Sequence, residues 1–421
     1  MKLAEMSKQD MAAMYEELKQ TYGQYQARSL KLNMSRGKPG ADQLALAKPM
    51  LEPLENYKAE DGTDTLNYGV LEGIPEARRL FGELMDMPAE QVIVGGNSSL
   101  SLMYDAISRL FCFGFGGHTP WGRLDKVKFL CPAPGYDRHF TICEVFGIEM
   151  IPITMEEGGP DMEKIERLAA SDASIKGIWC VPKYSNPDGI TYSSETVRRL
   201  GALKAAAPDF RIFWDNAYCV HHLNMDDCDT LDNIYTACKN AGREDMVYMF
   251  SSFSKISFPH GGISAMAASA ANIAHTKKYL NAQTISYDKI NQLRHARFFK
   301  DKAGVQAHMA KHAEILSPKF SMVLDSLVGE LAPLGIGRWT KPKGGYFVSV
   351  FLPKGCAKRT VELCKQAGVE LTGAGAPYPY GQDPEDSNIR IAPSFPPVDE
   401  LKQAMEIFCL CAKMAAIEAS E

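Results

Sequence analysis

Seven short, unbroken apolar runs, separated by stretches with helical spacing, constrain this chain more than any other feature. They are 91–94 (QVIV), 126–131 (KVKFLC), 149–154 (EMIPIT), 175–181 (IKGIWCV), 210–214 (FRIFW), 246–250 (MVYMF) and 263–268 (ISAMAA). A strand with one wet face alternates apolar with polar residues. A continuous run belongs to a strand buried on both faces, as in a parallel sheet covered by helices. Helical patterns fill the intervals, for example 98–110, 161–170 and 194–206. Strand alternating with helix predicts an α/β fold with a doubly wound, mostly parallel, seven-stranded sheet.

The pattern changes after about residue 270. A long helical region covers 289–330, followed by GRWTKPKGGYFVSVFLP (337–353), a helix, and SNIRIAPSFPPVDELKQAMEIF (387–408). Its strands alternate more and its helices are amphipathic, which predicts a smaller α+β domain. The N-terminal stretch carries Met11, Tyr15, Leu18 and Tyr22 at helical spacing. It lacks the apolar core of a signal peptide and reads as an amphipathic helix that completes the small domain. A chain of 421 residues is long enough for two cores. The expected division is 1–57 (N-terminal segment of the small domain), 58–310 (large cofactor-binding domain) and 311–421 (small C-terminal domain).

Composition removes several function classes. The net charge is −5 and no Lys/Arg block stands out, which argues against nucleic acid or an anionic membrane surface as partner. No run of 18 apolar residues exists to span a bilayer. The 11 cysteines are odd in number and scattered, with no CxxC pair. That pattern predicts reduced thiols in a cytoplasmic protein and no structural zinc. His308 and His312 sit four apart, but Met309 stands where a zinc protease has Glu, so no metal is expected there.

In open parallel sheets, ligands bind beyond the carboxyl ends of the strands. The residues there are Gly95-Gly96-Asn97-Ser98-Ser99 after the first run and Pro134-Gly135-Tyr136 after the second. Later runs lead into Asn186-Pro187-Asp188-Gly189, Asp215-Asn216-Ala217-Tyr218 and Ser251-Ser252-Phe253-Ser254-Lys255. Each has an ordinary reading. Gly-Gly-Asn-Ser-Ser can be a capped turn, Asn-Pro-Asp-Gly is a strong β-turn, and Asp215 can be an N-cap or half of an ion pair. Taken together, a phosphate-type nest, an aromatic, an amide, a carboxylate and a lysine at successive strand ends can hold one anionic, aromatic, carbonyl-bearing cofactor. The Gly114–Gly122 loop with Trp121 stays open as a lid or an insertion, and His221-His222 as structural or pocket-lining.

These residues, in this order, resemble the class I aminotransferases, of the fold-type I group of pyridoxal-phosphate enzymes. The resemblance covers about residues 30–410 and includes Gly37, Pro39, Tyr68-Gly69, Gly73, Arg78, Pro342-Lys343-Gly344-Gly345-Tyr346-Phe347 and Asn388-Ile389-Arg390. The stretches LNMSRGKPG, LNYG…GIPEAR and INQLRHARFF are most similar to subgroup Ic aspartate aminotransferases. The resemblance implies pyridoxal 5′-phosphate as cofactor and a homodimer with shared sites. Lys255 would form the Schiff base, Asp215 would pair with the pyridine nitrogen, and Asn186 and Tyr218 would bind the ring's phenolic oxygen. Tyr136 would stack on the ring. The nest Gly96, Asn97, Ser98 and Ser99, with Ser252 and the neighbouring subunit's Tyr68, would hold the phosphate. Arg390 would clamp the substrate α-carboxylate, with Gly37 closing over it. The implied reaction is ping-pong transamination between an amino acid, aspartate first, and 2-oxoglutarate. The alternatives are an aromatic or 2-aminoadipate aminotransferase, a C–S lyase on the same scaffold, or a non-enzymatic regulator that borrowed the fold.

The chemistry requires these residue types. A buried carboxylate keeps a pyridine nitrogen protonated through a charge-assisted bond, which neutral Asn would not. A displaced lysine amine can carry a proton as base and then acid. A guanidinium binds a planar carboxylate bidentately, better than Lys would. Two departures stand out. The stretch Phe258–Ser264 lacks the arginine that contacts phosphate in typical members. The stretch Asn281–Tyr287 lacks the arginine that binds a substrate's side-chain carboxylate. Arg36, beside Gly37, is the first candidate to replace the latter, before Lys38, Arg138 and Lys289.

Overall fold

The computed structural model describes residues 2–420. Its strands are β1 (Leu32–Asn33), β2 (Val92–Val94), β3 (Lys128–Ala133), β4 (Glu149–Glu156), β5 (Gly159–Pro160), β6 (Ile175–Cys180), β7 (Arg211–Asp215), β8 (Val247–Ser252), β9 (Ser264–Ala268), β10 (Arg338–Trp339), β11 (Val348–Phe351), β12 (Val369–Glu370) and β13 (Asn388–Ile391). All seven apolar runs become strands of one sheet, in the order β2-β9-β8-β7-β6-β3-β4-β5. The neighbours β8-β7-β6-β3-β4 pair in parallel, and β9 runs antiparallel to both β2 and β8. The eighth strand, β5, is only two residues long and pairs antiparallel with the edge strand β4. Its residues, Gly159 and Pro160, carry no apolar run that sequence reading could detect.

Burial explains the continuous runs. In β7, Ile212 and Trp214 pack into the core on one face of the sheet. Phe213 packs into the core on the other. Neither face is wet, and every residue between the buried Arg211 that opens the strand and Asp215 at its carboxyl end is apolar. Helices expected at 98–110 and 161–170 form as Ser99–Phe113 and Met162–Ser171. The one expected at 194–206 stops at Gly201. The long helical region divides into Lys289–Phe299 and Lys302–Glu330. Lys300 turns to φ 65°, and the Asp301 carboxylate accepts from Gly304 N at 2.8 Å, capping the second helix.

A second core gathers around β11, β13 and the helix Val398–Glu418. The N-terminal helix Lys8–Ala27 joins it, with Met11, Tyr15 and Leu18 packed against it and Tyr22 buried within it. Strands β10-β11-β13 form an antiparallel sheet, and β1 pairs with β12. Chain from both ends therefore builds the smaller core.

The Gly114–Gly122 loop, left open as a lid or an insertion, is tied to the amino end of the strands through Trp121. Trp121 is buried, donates to Asp209 Oδ2 at 2.7 Å and packs on Phe129. Asp209 lies just before β7, at the amino end of the strands, whereas Asp215 closes the carboxyl end.

Candidate active site

Strand ends β2, β3, β6, β7 and β8 converge on one edge of the sheet. After β2 the chain enters the helix Ser99–Phe113 through Ser98, which is extended (φ −136°, ψ 123°) and makes no side-chain capping bond. The first N–H groups of this helix are left for a ligand, and its dipole favours an anion there. The nest is pinned on both sides. The Gly96 carbonyl accepts from Ser264 Oγ at 2.8 Å, and the Asn97 carbonyl accepts from Ser254 Oγ at 2.7 Å. The second bond joins the nest to the turn that carries Lys255.

A cavity of about 200 Å³ opens beside these ends. It is lined by Ser98, Ser99, Tyr136, Asn186, Asp215, Tyr218, Ser252 and Lys255, together with Leu100, Met103, Val181, Ala217, Ser254 and Pro259. Eight of the residues expected to hold the cofactor thus share one enclosure. Gly96 and Asn97 do not line it. A larger cleft of about 1200 Å³ lies between Glu156, Asp229, Lys341 and Pro384, but it contains neither Lys255 nor Asp215.

Asp215 is 3% exposed. His139 Nε2 donates to its Oδ2 at 3.0 Å, while Oδ1 is buried and has no partner. A buried carboxylate oxygen with nothing to accept from is costly. A ring N–H delivered into the cavity would satisfy it. His139 is itself stacked on Trp179, with centroids 4.4 Å apart and planes 11° apart. Sequence reading missed His139. The available signal was its place three residues after Tyr136, on the same face of the helix that Tyr136 opens.

Lys255 Nζ stands 5.0 Å from the centre of the Tyr218 ring. Its backbone is fixed by buried groups. Tyr346 Oη donates to the Lys255 carbonyl at 3.1 Å, and His221 Nε2 lies 3.4 Å from the same oxygen. Gln43 Nε2 donates to Tyr346 Oη at 3.1 Å, and His308 donates to the Ile256 carbonyl at 2.9 Å. The paired histidines 308 and 312 are thus scaffold beneath the lysine. Burial pushes the His312 imidazole down to about 3 and holds His221 well below its usual range, so both stay neutral. Burial raises the Tyr218 phenol, against a smaller opposing effect of Arg390, and pushes the Tyr136 phenol up to about 12. Both keep their protons at neutral pH and can donate.

Arg390, on β13, points at the same enclosure. Its Nη1 donates to Asn186 Oδ1 at 3.1 Å, its Nη2 donates to Thr372 Oγ1 at 3.0 Å, and Asp137 Oδ1 lies 3.7 Å away. Its Nε is buried without a partner. The guanidinium lies 4.7 Å over the Phe347 ring, and a Cβ at Gly37 would sit 2.2 Å from Phe347 Cζ. Gly37 is therefore required by close approach: its backbone presses on the ring that supports Arg390. Gly37→Ala is expected to raise KM for the amino donor about tenfold or more, because it displaces that support. Steady-state kinetics checks this.

The remaining expected residues lie outside the enclosure. Tyr68 is 79% exposed and does not line the cavity of its own chain. Arg36, Lys38 and Arg138 are exposed, and Lys38 Nζ rests 3.9 Å over the Phe395 ring. Lys289 is buried, and its Nζ donates to the Asn67 carbonyl at 2.6 Å, so it supports the loop before Tyr68 rather than facing a substrate. In the Phe258–Ser264 stretch that lacks the arginine, His260 is exposed, and its carbonyl accepts from Asn97 Nδ2 at 3.4 Å.

The chain is similar to known proteins over nearly its whole length. The family model described as aspartate amino-transferase matches residues 6–421. An aspartate aminotransferase of Corynebacterium glutamicum is 44% identical, over 96% of this chain and 94% of that protein. The crystal structure of an aspartate transaminase from the same organism superposes with a TM-score of 0.97 at 43% identity, covering all of both chains. At 19% identity, the α-aminoadipate aminotransferase LysN of Thermus thermophilus shares the fold with a TM-score of 0.73, over 94% of this chain and 96% of that one.

Proposed function

Because the chain belongs to the aspartate amino-transferase family and is an aminotransferase, we propose that it exchanges an amino group between L-aspartate and 2-oxoglutarate, one substrate after the other, with pyridoxal 5′-phosphate held over Asp215. The observation that carries this reading is the partnerless Asp215 Oδ1, buried in the wall of the cavity that also holds the Lys255 amine. When bound, the cofactor supplies a sink for the electrons left at the substrate's α-carbon.

This chain's residues do the rest. Asp215, held from behind by His139, keeps a positive charge on the ring nitrogen. Asn186 Oδ1 is already taken by Arg390, so its Nδ2 is left to donate into the cavity, beside the Tyr218 hydroxyl. Lys255 Nζ would take the proton from the substrate's α-carbon as a base and, as an acid, return it to the carbon that was the cofactor's carbonyl carbon. Arg390, with Thr372 and Phe347 fixing its plane, takes the α-carboxylate. The phosphate is held without an arginine by the helix start at Ser98 and Ser99 and by the Ser252 hydroxyl. A helix N-terminus contributes up to ~2 kcal/mol and each hydroxyl or amide donor about 1 kcal/mol.

We also place the enzyme as a homodimer whose sites are completed across the interface. The exposed Tyr68 and Leu66, on a loop that Lys289 holds in place, support that reading, with Tyr68 reaching the partner's phosphate site. The division into 1–57, 58–310 and 311–421 is kept as the proposed domain organisation. Among the described residues no helix is long and apolar enough to cross a membrane. The free cysteines support a cytoplasmic location.

Arg36 is proposed to take the side-chain carboxylate of aspartate. It is exposed, carries no ion pair among those described, and adjoins Gly37 over Phe347. Arg36→Ala should raise KM for aspartate about tenfold or more and leave a neutral donor nearly unchanged. Equal changes for both donors would remove Arg36 from this role. Mixing the enzyme with aspartate alone tests the reaction itself. Conversion of the cofactor absorbance with release of oxaloacetate and no ammonia is expected, and release of ammonia would contradict transamination.

A further inference from the structure

We propose that Asp188 is a positioning residue, which latches the small-sheet strands that carry Arg390 to the loop that carries Asn186 and so sets how firmly a substrate carboxylate is held. The inference rests on the assignment of Arg390 made above. Asp188 is 3% exposed, yet its Oδ1 has no partner. It sits two residues after Asn186, in a loop pressed on the opposing segment: Gly189 has φ +68°, and a Cβ there would meet Pro342 Cβ at 2.4 Å.

The other half of the latch belongs to β11 and β13. Ser349 is the register partner of Arg390, and Asn388 lies two residues before Arg390 on the same face. Asn388 Nδ2 donates to Ser349 Oγ at 2.8 Å, and the Ser349 hydroxyl faces the Asp188 carboxyl and favours its charged form. Arg390 Nη1 closes the ring through Asn186 Oδ1 at 3.1 Å. One loop therefore grips one sheet face at two points, Asn186 to Arg390 and Asp188 to Ser349. Losing the second leaves the first to hold the guanidinium alone.

Two acceptors in this ring lack donors, Asp188 Oδ1 and Asn388 Oδ1. A proton on Asp188 adds the one donor the ring lacks. Burial raises its carboxyl to about 7, with Ser349 and Arg338 opposing. The groups facing it are Arg338 from β10 and Tyr378 from the segment after β12, with Asp383 beyond Tyr378. Tyr378 is itself raised by burial and stays neutral. The sign follows from a folded-state value above the ordinary carboxyl value. The stabilisation is complete below the unfolded value and is lost as pH rises through about 7. The latch should loosen on the alkaline side.

The test compares Asp188→Ala, Asp188→Asn and Arg390→Lys holoenzymes with wild type, together with thermal melts of the apoproteins. Asp188→Ala is expected to raise KM for both amino donor and oxo acid about tenfold, with kcat within about threefold. Asp188→Asn keeps an acceptor for Ser349 and brings a permanent donor. It should return KM to within about threefold of wild type. Wild-type KM should rise between pH 6 and 8.5, and the apoprotein melting temperature should fall between about pH 4 and 7, both more steeply than in Asp188→Asn. The latch is overturned if Asp188→Ala leaves KM unchanged, if it lowers only stability, or if Asp188→Asn keeps the wild-type pH dependence. Should Asp188→Ala fail to fold, the Asp188→Asn melts and KM profile decide alone. Should Arg390→Lys leave KM unchanged, the carboxylate assignment fails and the latch with it. A raised KM in Arg390→Lys beside an unaffected Asp188→Ala sinks the latch only.

Discussion

Replacing Lys255 by alanine is expected to lower kcat for transamination by about 10⁴-fold or more, with no gain from raising substrate. The size follows from what the side chain does: general acid–base transfer alone is worth up to about 10⁴-fold, and no other lysine lines the cavity. His221 lies close to the Lys255 backbone, but burial keeps it neutral far below its usual range, and it contacts a carbonyl rather than the enclosure. It is no substitute. The loss should be chemical rather than structural. The bonds that fix this turn reach the Lys255 and Ile256 carbonyls, from Tyr346, His221 and His308, and an alanine keeps them all. The alanine variant should therefore melt within a few degrees of wild type. Partial recovery of turnover with added small primary amines would show that the missing function is a free amine. An alanine variant that turned over within tenfold of wild type would remove Lys255 from the centre of the reaction.

The second large effect is expected at Asp215. Asparagine fills nearly the same volume and can still accept from His139, so the fold around it should persist. It cannot keep a ring nitrogen protonated, because its amide carries no charge. The expected fall in kcat is about 10³-fold. In the variant, the buried position of Oδ1 is taken by a neutral oxygen or by an amide N–H. The first pairs weakly with a pyridinium, and the second calls for an unprotonated ring. Titration of the bound cofactor's absorbance should show a lowered ring-nitrogen pKa in Asp215→Asn. An unchanged profile, with kcat within tenfold of wild type, would mean that another group holds the charge. His139→Phe should act in the same direction but less, since it leaves the carboxylate in place and removes only the donor behind it.

Much of the framework was legible in the sequence because burial on both faces of a sheet writes itself as unbroken apolar runs. Ile212, Phe213 and Trp214 divide between the two faces, so the stretch between Arg211 and Asp215 is wholly apolar. The strand-end residues followed, since a parallel sheet brings all its carboxyl ends to one edge. Ser98, Tyr136, Asn186, Asp215 and Lys255 come together for that reason alone. The two-residue β5 was invisible, because a Gly-Pro edge pair carries no periodicity. The helix break at Lys300 was equally hidden, since a single left-handed residue followed by a capping Asp disturbs an apolar pattern very little.

The supporting residues were harder still. His139, Gln43 and Tyr346 act through contacts between positions far apart in the chain: Gln43 meets Tyr346, and His139 meets Asp215. Neither spacing nor composition records such pairs. Arg390 and Asn186 lie on different elements and grip each other across the contact between large and small cores, a relation that only the fold displays. Asp188 illustrates the same limit. In the sequence it is the third residue of a β-turn, and its burial becomes apparent only when the chain is folded.

The most direct measurement is to reduce the holoenzyme with borohydride, digest it, and locate the pyridoxyl group by mass spectrometry. A single modification on Lys255, absent from Lys255→Ala, is the predicted result. A label on any other lysine, or a cofactor that leaves the protein unattached after reduction, would contradict it.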